Sequence, residues 1–188
     1  MKRILLISML LVIAISISFS QIAYKKGDKV GSLMLGLGSF VYEPDATSTV
    51  PPLSVAADWG YNENISVGGI LSYTASKYEW NNVWGNYGYK YTWSYIIVAA
   101  RGAYHLDVLH DSKIDTYGGV SLGFKIASTS ETYTGDWGLI PHTTAASGGG
   151  ILFGLFAGGR YYFSPNLAAQ AEVGFGIALL NIGIAYKL

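Results

Sequence analysis

Large apolar and small or polar residues alternate with a period of two along most of the chain. In residues 30–42, Leu33, Leu35, Leu37 and Val41 share one side of the pattern, while Met34, Gly36, Gly38 and Phe40 share the other. Successive side chains of a strand point to opposite faces, so this spacing predicts a β-strand. The same reading predicts strands at 53–60, 65–77, 91–105, 115–127, 150–163, 167–176 and 179–188. Each has one bulky apolar face, such as Leu53, Val55, Ala57 and Trp59, or Val120, Leu122, Phe124 and Ile126. A helix is a poor alternative for the most apolar stretch. It carries Gly148, Gly149, Gly150, Gly154, Gly158 and Gly159, and each glycine costs about 1 kcal/mol inside a helix.

The predicted links alternate in length. Those at 61–64 and 164–166 are short, and the one between His105 and Ile114 is modest. Those at 43–52, 78–90 and 128–149 are long, and only the last, near Ile177, breaks the pattern. Short turns at one end and long loops at the other are the asymmetry of membrane-spanning barrels.

The charges decide which face is outside. Asp58, Arg101, Lys125, Arg160, Glu172 and Lys187 all fall on the small or polar face of their strands. An Arg or Lys on the lipid face at midplane costs about 2–4 kcal/mol, so the apolar faces are expected to meet lipid. A sheet edge in hydrocarbon would leave backbone groups unpaired, so the sheet is expected to close. The prediction is an all-β fold: an eight-stranded antiparallel up-and-down transmembrane β-barrel, with an interior that side chains fill. Interior glycines would make room for Arg101, Arg160, Tyr95, Tyr117 and Phe156. Asp58, Arg101, Arg160 and Glu172 are expected to form a buried interior ion-pair cluster, because an unpaired buried charge is costly. A proton or ion path is the functional alternative for the same four residues. Trp59, Tyr61, Tyr104, Tyr161 and Phe163 fall near the short turns, where an aromatic girdle belongs. Tyr42, Tyr73, Tyr78, Tyr91 and Trp93 fall near the long loops, although strict alternation turns Tyr42, Tyr91 and Trp93 inward.

Composition sharpens this picture. The chain is 51% hydrophobic and 13% charged, against roughly 25% charged in soluble domains. It has no cysteine, so no disulfide contributes to stability. Lys2 and Arg3, the apolar run 4–17 and the small residues Ser18 and Ser20 have the order of an export signal. Residues 1–20 are therefore expected to be a signal peptide, with the barrel domain at 21–188. The remaining chain is slightly acidic and offers no basic face for nucleic acid. The three histidines, His105, His110 and His142, have no metal-ligand spacing and no cysteine beside them. No nucleophile elbow is present, and neither a catalytic residue nor a cofactor is expected. The long links 78–90 and 128–149 are the expected sites for a surface ligand or protein.

Several segments together resemble the small eight-stranded outer-membrane β-barrel domain family, of the OmpA/OmpX-like kind. They are Pro51-Pro52-Leu53-Ser54-Val55, Asn64-Ile65-Ser66-Val67-Gly68-Gly69, Ala100-Arg101-Gly102-Ala103-Tyr104-His105, Gly158-Gly159-Arg160-Tyr161-Tyr162-Phe163-Ser164-Pro165-Asn166 and Glu172-Val173-Gly174-Phe175-Gly176. The tail, with Ile182, Ile184, Tyr186 and Leu188 alternating, resembles the C-terminal signal read by the outer-membrane barrel assembly machinery; such signals usually end in Phe, and this one ends in Leu. The resemblance implies location in an outer membrane, contact with its lipid and passage through the periplasm. The expected role is non-enzymatic: envelope structure, or surface interaction through the long loops. The alternatives are a narrow porin-like channel or carrier for a small hydrophobic ligand, a lipid-modifying outer-membrane enzyme using His142, and a soluble lipocalin-type barrel.

Overall fold

A computed structural model describes residues 23–39, 47–81, 88–134 and 144–188. The expected signal peptide at 1–20, the residues Phe40, Val41 and Tyr42, and His142 lie outside the described residues. Eight strands follow in order: β1 (Lys29–Ser39), β2 (Thr47–Gly60), β3 (Ile65–Asn81), β4 (Gly88–Leu106), β5 (Ile114–Thr134), β6 (Thr144–Tyr162), β7 (Leu167–Phe175) and β8 (Ala178–Lys187). Each pairs antiparallel with its chain neighbour, and β1 closes on β8, from Val30 opposite Lys187 to Ser39 opposite Ala178.

The face assignment follows the alternation. Leu122, Phe124 and Ile151 are 59, 65 and 76% exposed on the outside, while Met34, Ile97 and Tyr95 are buried inside. Among the described residues, the central barrel wall from Leu33 through Val55, Leu71, Val98, Leu122, Phe153, Val173 and Ile184 is an apolar surface with nothing packed on it. At the short-turn end, Trp59, Tyr61, Tyr104, Tyr161 and Phe163 project outward as a girdle.

The extent of all three long links is corrected. Residues 47–52 of the link predicted at 43–52 belong to β2, irregularly paired with β3. The links at 78–90 and 128–149 are predicted as loops, but residues 78–81, 88–90, 128–134 and 144–149 continue the strands. These stretches are rich in Tyr, Trp and Thr, which favour strands, and each residue gains a ladder partner: Trp80 faces Tyr89, and Ser128 faces Ser147. The β7–β8 hairpin turns where the sequence places it, between Phe175 and Ala178. Gly176, at φ 111°, reverses the chain in a conformation that suits glycine. The sheet of β3 to β6 therefore rises above β7 and β8; the last pair of β7 with β6 is Phe175 with Leu155.

The interior is packed in layers. An apolar cluster of Met34, Ala56, Ile70, Tyr95, Ile97, Ala99, Leu152, Ile177 and Ala178 fills the end towards the tall hairpins, with Trp93 and Ala127 against it. Val30, Tyr162, Ala168 and Ala185 form a smaller cluster near the short turns. Ionised residues occupy the cross-section between and around them.

Candidate functional site: the polar interior

Strand parity brings Asp58 from β2, Arg101 from β4, Arg160 from β6 and Glu172 from β7 into one interior layer, each no more than 6% exposed. Arg160 Nη2 donates to Asp58 Oδ2 at 2.6 Å, and Arg101 Nη2 donates to Glu172 Oε1 at 2.6 Å. Arg101 Nε lies 3.2 Å from Asp58 Oδ1 but is not aligned for a hydrogen bond, so that contact is Coulombic. The guanidiniums also rest on rings: Arg101 lies 4.3 Å from the Phe156 centroid and Arg160 lies 4.8 Å from that of Tyr117. Short neighbours allow this packing. A Cβ at Gly68 would come within 2.8 Å of Asp58 Oδ1, and one at Gly119 within 2.5 Å of the Phe156 ring.

The layer is larger than four residues. Arg160 Nε donates to Gln170 Oε1 at 2.9 Å, and its Nη1 reaches Asp115 Oδ2 at 3.4 Å. Gln170 Nε2 donates to Glu172 Oε1 at 3.0 Å, and Tyr117 Oη donates to the same oxygen at 2.9 Å. Ser32 Oγ donates to Gln170 Oε1 at 2.8 Å and so ties β1 to β7 across the barrel seam. Sequence reasoning left out Asp115, Gln170 and His105. The signal was present: Asp115 shares the parity of Tyr117, and His105 shares that of Arg101. Both sit at strand ends, where alternation is shortest.

His105 Nδ1 lies 2.6 Å from Asp115 Oδ1, and its Nε2 lies 2.9 Å from Ser66 Oγ. This is the order of acid, base and hydroxyl that activates a serine nucleophile. Access is missing. Ser66, His105 and Asp115 are each at most 1% exposed, and the Tyr24 ring lies flat on His105, with centroids 3.6 Å apart and planes 3° apart. The three residues satisfy one another's polar groups and continue the ionic layer to the short-turn end.

The segment before β1 covers that end. Tyr24 Oη donates to the Ile65 carbonyl at 2.7 Å. Gly27 N–H donates to the Gly60 carbonyl and Gly60 N–H to that of Asp28, both at 2.8 Å. Lys187 Nζ lies 2.8 Å from Asp28 Oδ2. Burial, with the Asp115, Asp28 and Asp58 carboxylates nearby, pushes the Tyr24 hydroxyl up to about 12.

Other expected sites fall elsewhere. Ile182, Ile184, Tyr186 and Leu188 all project from the outer face. At the tall end, Trp80, Tyr89, Tyr91 and Trp93 form a run of ring contacts with centroids 5.4 to 5.7 Å apart. Among the described residues no group of His, Cys, Asp and Glu gathers as metal ligands. A cavity of about 30 Å³ beside Arg101, Glu172 and Asn181 has room for a water or two.

No protein-family profile matches the chain, and no curated protein matches it. Several solved structures are similar in fold. The N-terminal β-barrel domain of Pseudomonas aeruginosa OprF aligns over 88% of this chain and 100% of its own, at 14% identity and a TM-score of 0.49. Ail, the attachment invasion locus protein of Yersinia pestis, aligns over 87% and 99%, at 14% identity and a TM-score of 0.46. A de novo designed transmembrane β-barrel aligns over 88% and 98%, at 18% identity and a TM-score of 0.46. Its own strand pairing makes this chain a closed, eight-stranded, antiparallel up-and-down barrel.

Proposed function

We propose that the protein is a non-enzymatic integral outer-membrane barrel. It serves envelope structure, or presents its tall hairpins for surface contacts. The observation that carries this reading is the inversion of polarity. Leucine, valine, isoleucine and phenylalanine cover the outside of the wall, while Asp58, Arg101, Arg160 and Glu172 are paired inside. In water that exterior would be an exposed apolar patch far larger than soluble monomers carry. In a bilayer it is the favourable surface, and the closed ladder leaves no wall edge facing lipid below the level of the β7–β8 turn. A lipocalin-type soluble barrel reverses both features.

The filled cross-section favours an anchor over a channel or carrier. The ionic layer and the apolar cluster above it pack across the barrel, and the cavity beside Arg101, Glu172 and Asn181 holds only a water or two. The Ser66–His105–Asp115 chain does not favour an enzyme, because the hydroxyl faces no space that could hold an acyl group. Envelope fractionation with gel mobility tests the proposal. The protein is expected to pellet with the outer membrane and to migrate differently before and after heating in SDS. Recovery in the soluble fraction without detergent would overturn it.

A further inference from the structure

The ionic layer is closed over at the short-turn end, but the outer surface of that cover is not flat. The segment before β1, the β4–β5 turn, the β6–β7 turn and the end of β8 border an open pocket of about 490 Å³. Lys25, Lys113 and Lys187 line it together with Ser112 and Ser164, and no carboxylate is among the lining residues. Lys187 is engaged by Asp28 at 2.8 Å. Lys25 and Lys113 are exposed and have no ion-pair partner among the described residues. Asp28 Oδ2 also accepts from the Lys25 backbone N–H at 2.9 Å, and Asp111 Oδ1 accepts from the Lys113 backbone N–H at 2.8 Å. Both carboxylates bind the backbone of the lysine residues, and neither forms an ion pair with the two ammonium groups.

Two further observations shape the pocket. Tyr162 lines it, is only 7% exposed, and has Lys187 Nζ 4.7 Å from its ring centroid, which fixes a third ammonium at the rim. Phe163, the next residue, belongs to the outward aromatic girdle and is 57% exposed, yet it also borders the pocket. The pocket therefore opens at the height where girdle rings sit among lipid headgroups.

We propose that this pocket is a binding site for the phosphodiester of an anionic phospholipid in the leaflet that the short turns face. Lys25 and Lys113 supply the charge, and Ser112 and Ser164 supply hydroxyl donors. Phe163 holds the adjoining acyl region against the wall. The inference rests on the membrane reading above, and adds a defined lipid contact to it.

The test uses the refolded full chain in a zwitterionic detergent, followed by amide NMR. Short-chain phosphatidylglycerol, short-chain phosphatidylcholine and inorganic phosphate are titrated separately. Phosphatidylglycerol is expected to give saturable shifts at Ser112, Lys113 and Ser164. The double variant Lys25→Gln with Lys113→Gln should weaken them about thirtyfold, since each lysine near an anionic lipid is worth roughly a factor of five. Ser112→Ala gives a second reading on the pocket without removing charge and is expected to weaken binding while preserving the barrel spectrum. Equal affinity for inorganic phosphate would overturn the lipid assignment in favour of a free anion. Absence of saturable shifts, or equal binding by the double variant, would overturn the site. Heat-modifiable migration of the same sample separates these failures from failure of the membrane reading.

Discussion

At the scale of single residues, the interior is governed by what a charge loses when its partner goes. Glu172 accepts from Arg101, Tyr117 and Gln170 through one oxygen. Glu172→Ala is therefore expected to cost about 3–5 kcal/mol, because it leaves the buried Arg101 guanidinium with only its unaligned contact to Asp58. Urea unfolding in detergent micelles measures it, and an unchanged midpoint would remove the structural role assigned to the layer. Tyr24 yields a prediction with a definite pH sign. Its hydroxyl is held neutral up to about 12, well above the unfolded value near 10. The stabilisation is fully present below about pH 10 and is lost as pH rises towards 12. Wild type should lose stability across that window relative to Tyr24→Phe, and parallel pH profiles would contradict it. Parity in the sequence sufficed to place Asp58, Arg101, Arg160 and Glu172 on one face. It did not reveal who touches whom, because inter-strand register across the barrel sets that. Tyr24 was invisible for another reason: it belongs to no strand, and its contact with His105 spans 81 positions of sequence, which alternation does not report.

At the scale of the strand, depth along the wall sets the cost of a substitution. Leu122 lies mid-strand, opposite Ala100 and Phe153, on the outer face. Leu122→Arg is expected to cost about 2–4 kcal/mol, whereas Trp59→Arg near the short turns should cost about 0–1 kcal/mol from its charge. Equal penalties at the two depths in a bilayer refolding titration would argue against a membrane-embedded wall. The lower halves of the strands were readable because one face is apolar and the other is not. The outermost parts of β3 to β6, residues 78–81, 88–90, 128–134 and 144–149, read as loops in the sequence because they lack an apolar face. Tyr78, Glu79 and Trp80 offer no alternation of hydropathy, yet they pair residue by residue with Tyr91, Lys90 and Tyr89. Backbone pairing and aromatic side chains carry the sheet beyond the point where burial would require it.

At the scale of the whole molecule, the barrel is a cylinder blocked twice, by an apolar layer and by an ionised one. Planar-bilayer recordings are expected to show no steady open state, and a stable conductance would contradict the packed interior. The order of pairing carries a kinetic corollary. Seven of the eight strand interfaces join neighbours in the chain, and a single interface, β1 with β8, joins its ends. Hairpins can zip up one after another at low entropic cost, but the final joint closes a loop of almost the entire polypeptide. That joint contains the tight approach of Gly183 to the Leu33 backbone, and the Ser32–Gln170 bond bridges it from within. Weakening this joint should therefore open the cylinder like a zip fastener released at its last tooth, accelerating unfolding while leaving the early hairpins to assemble at their usual speed.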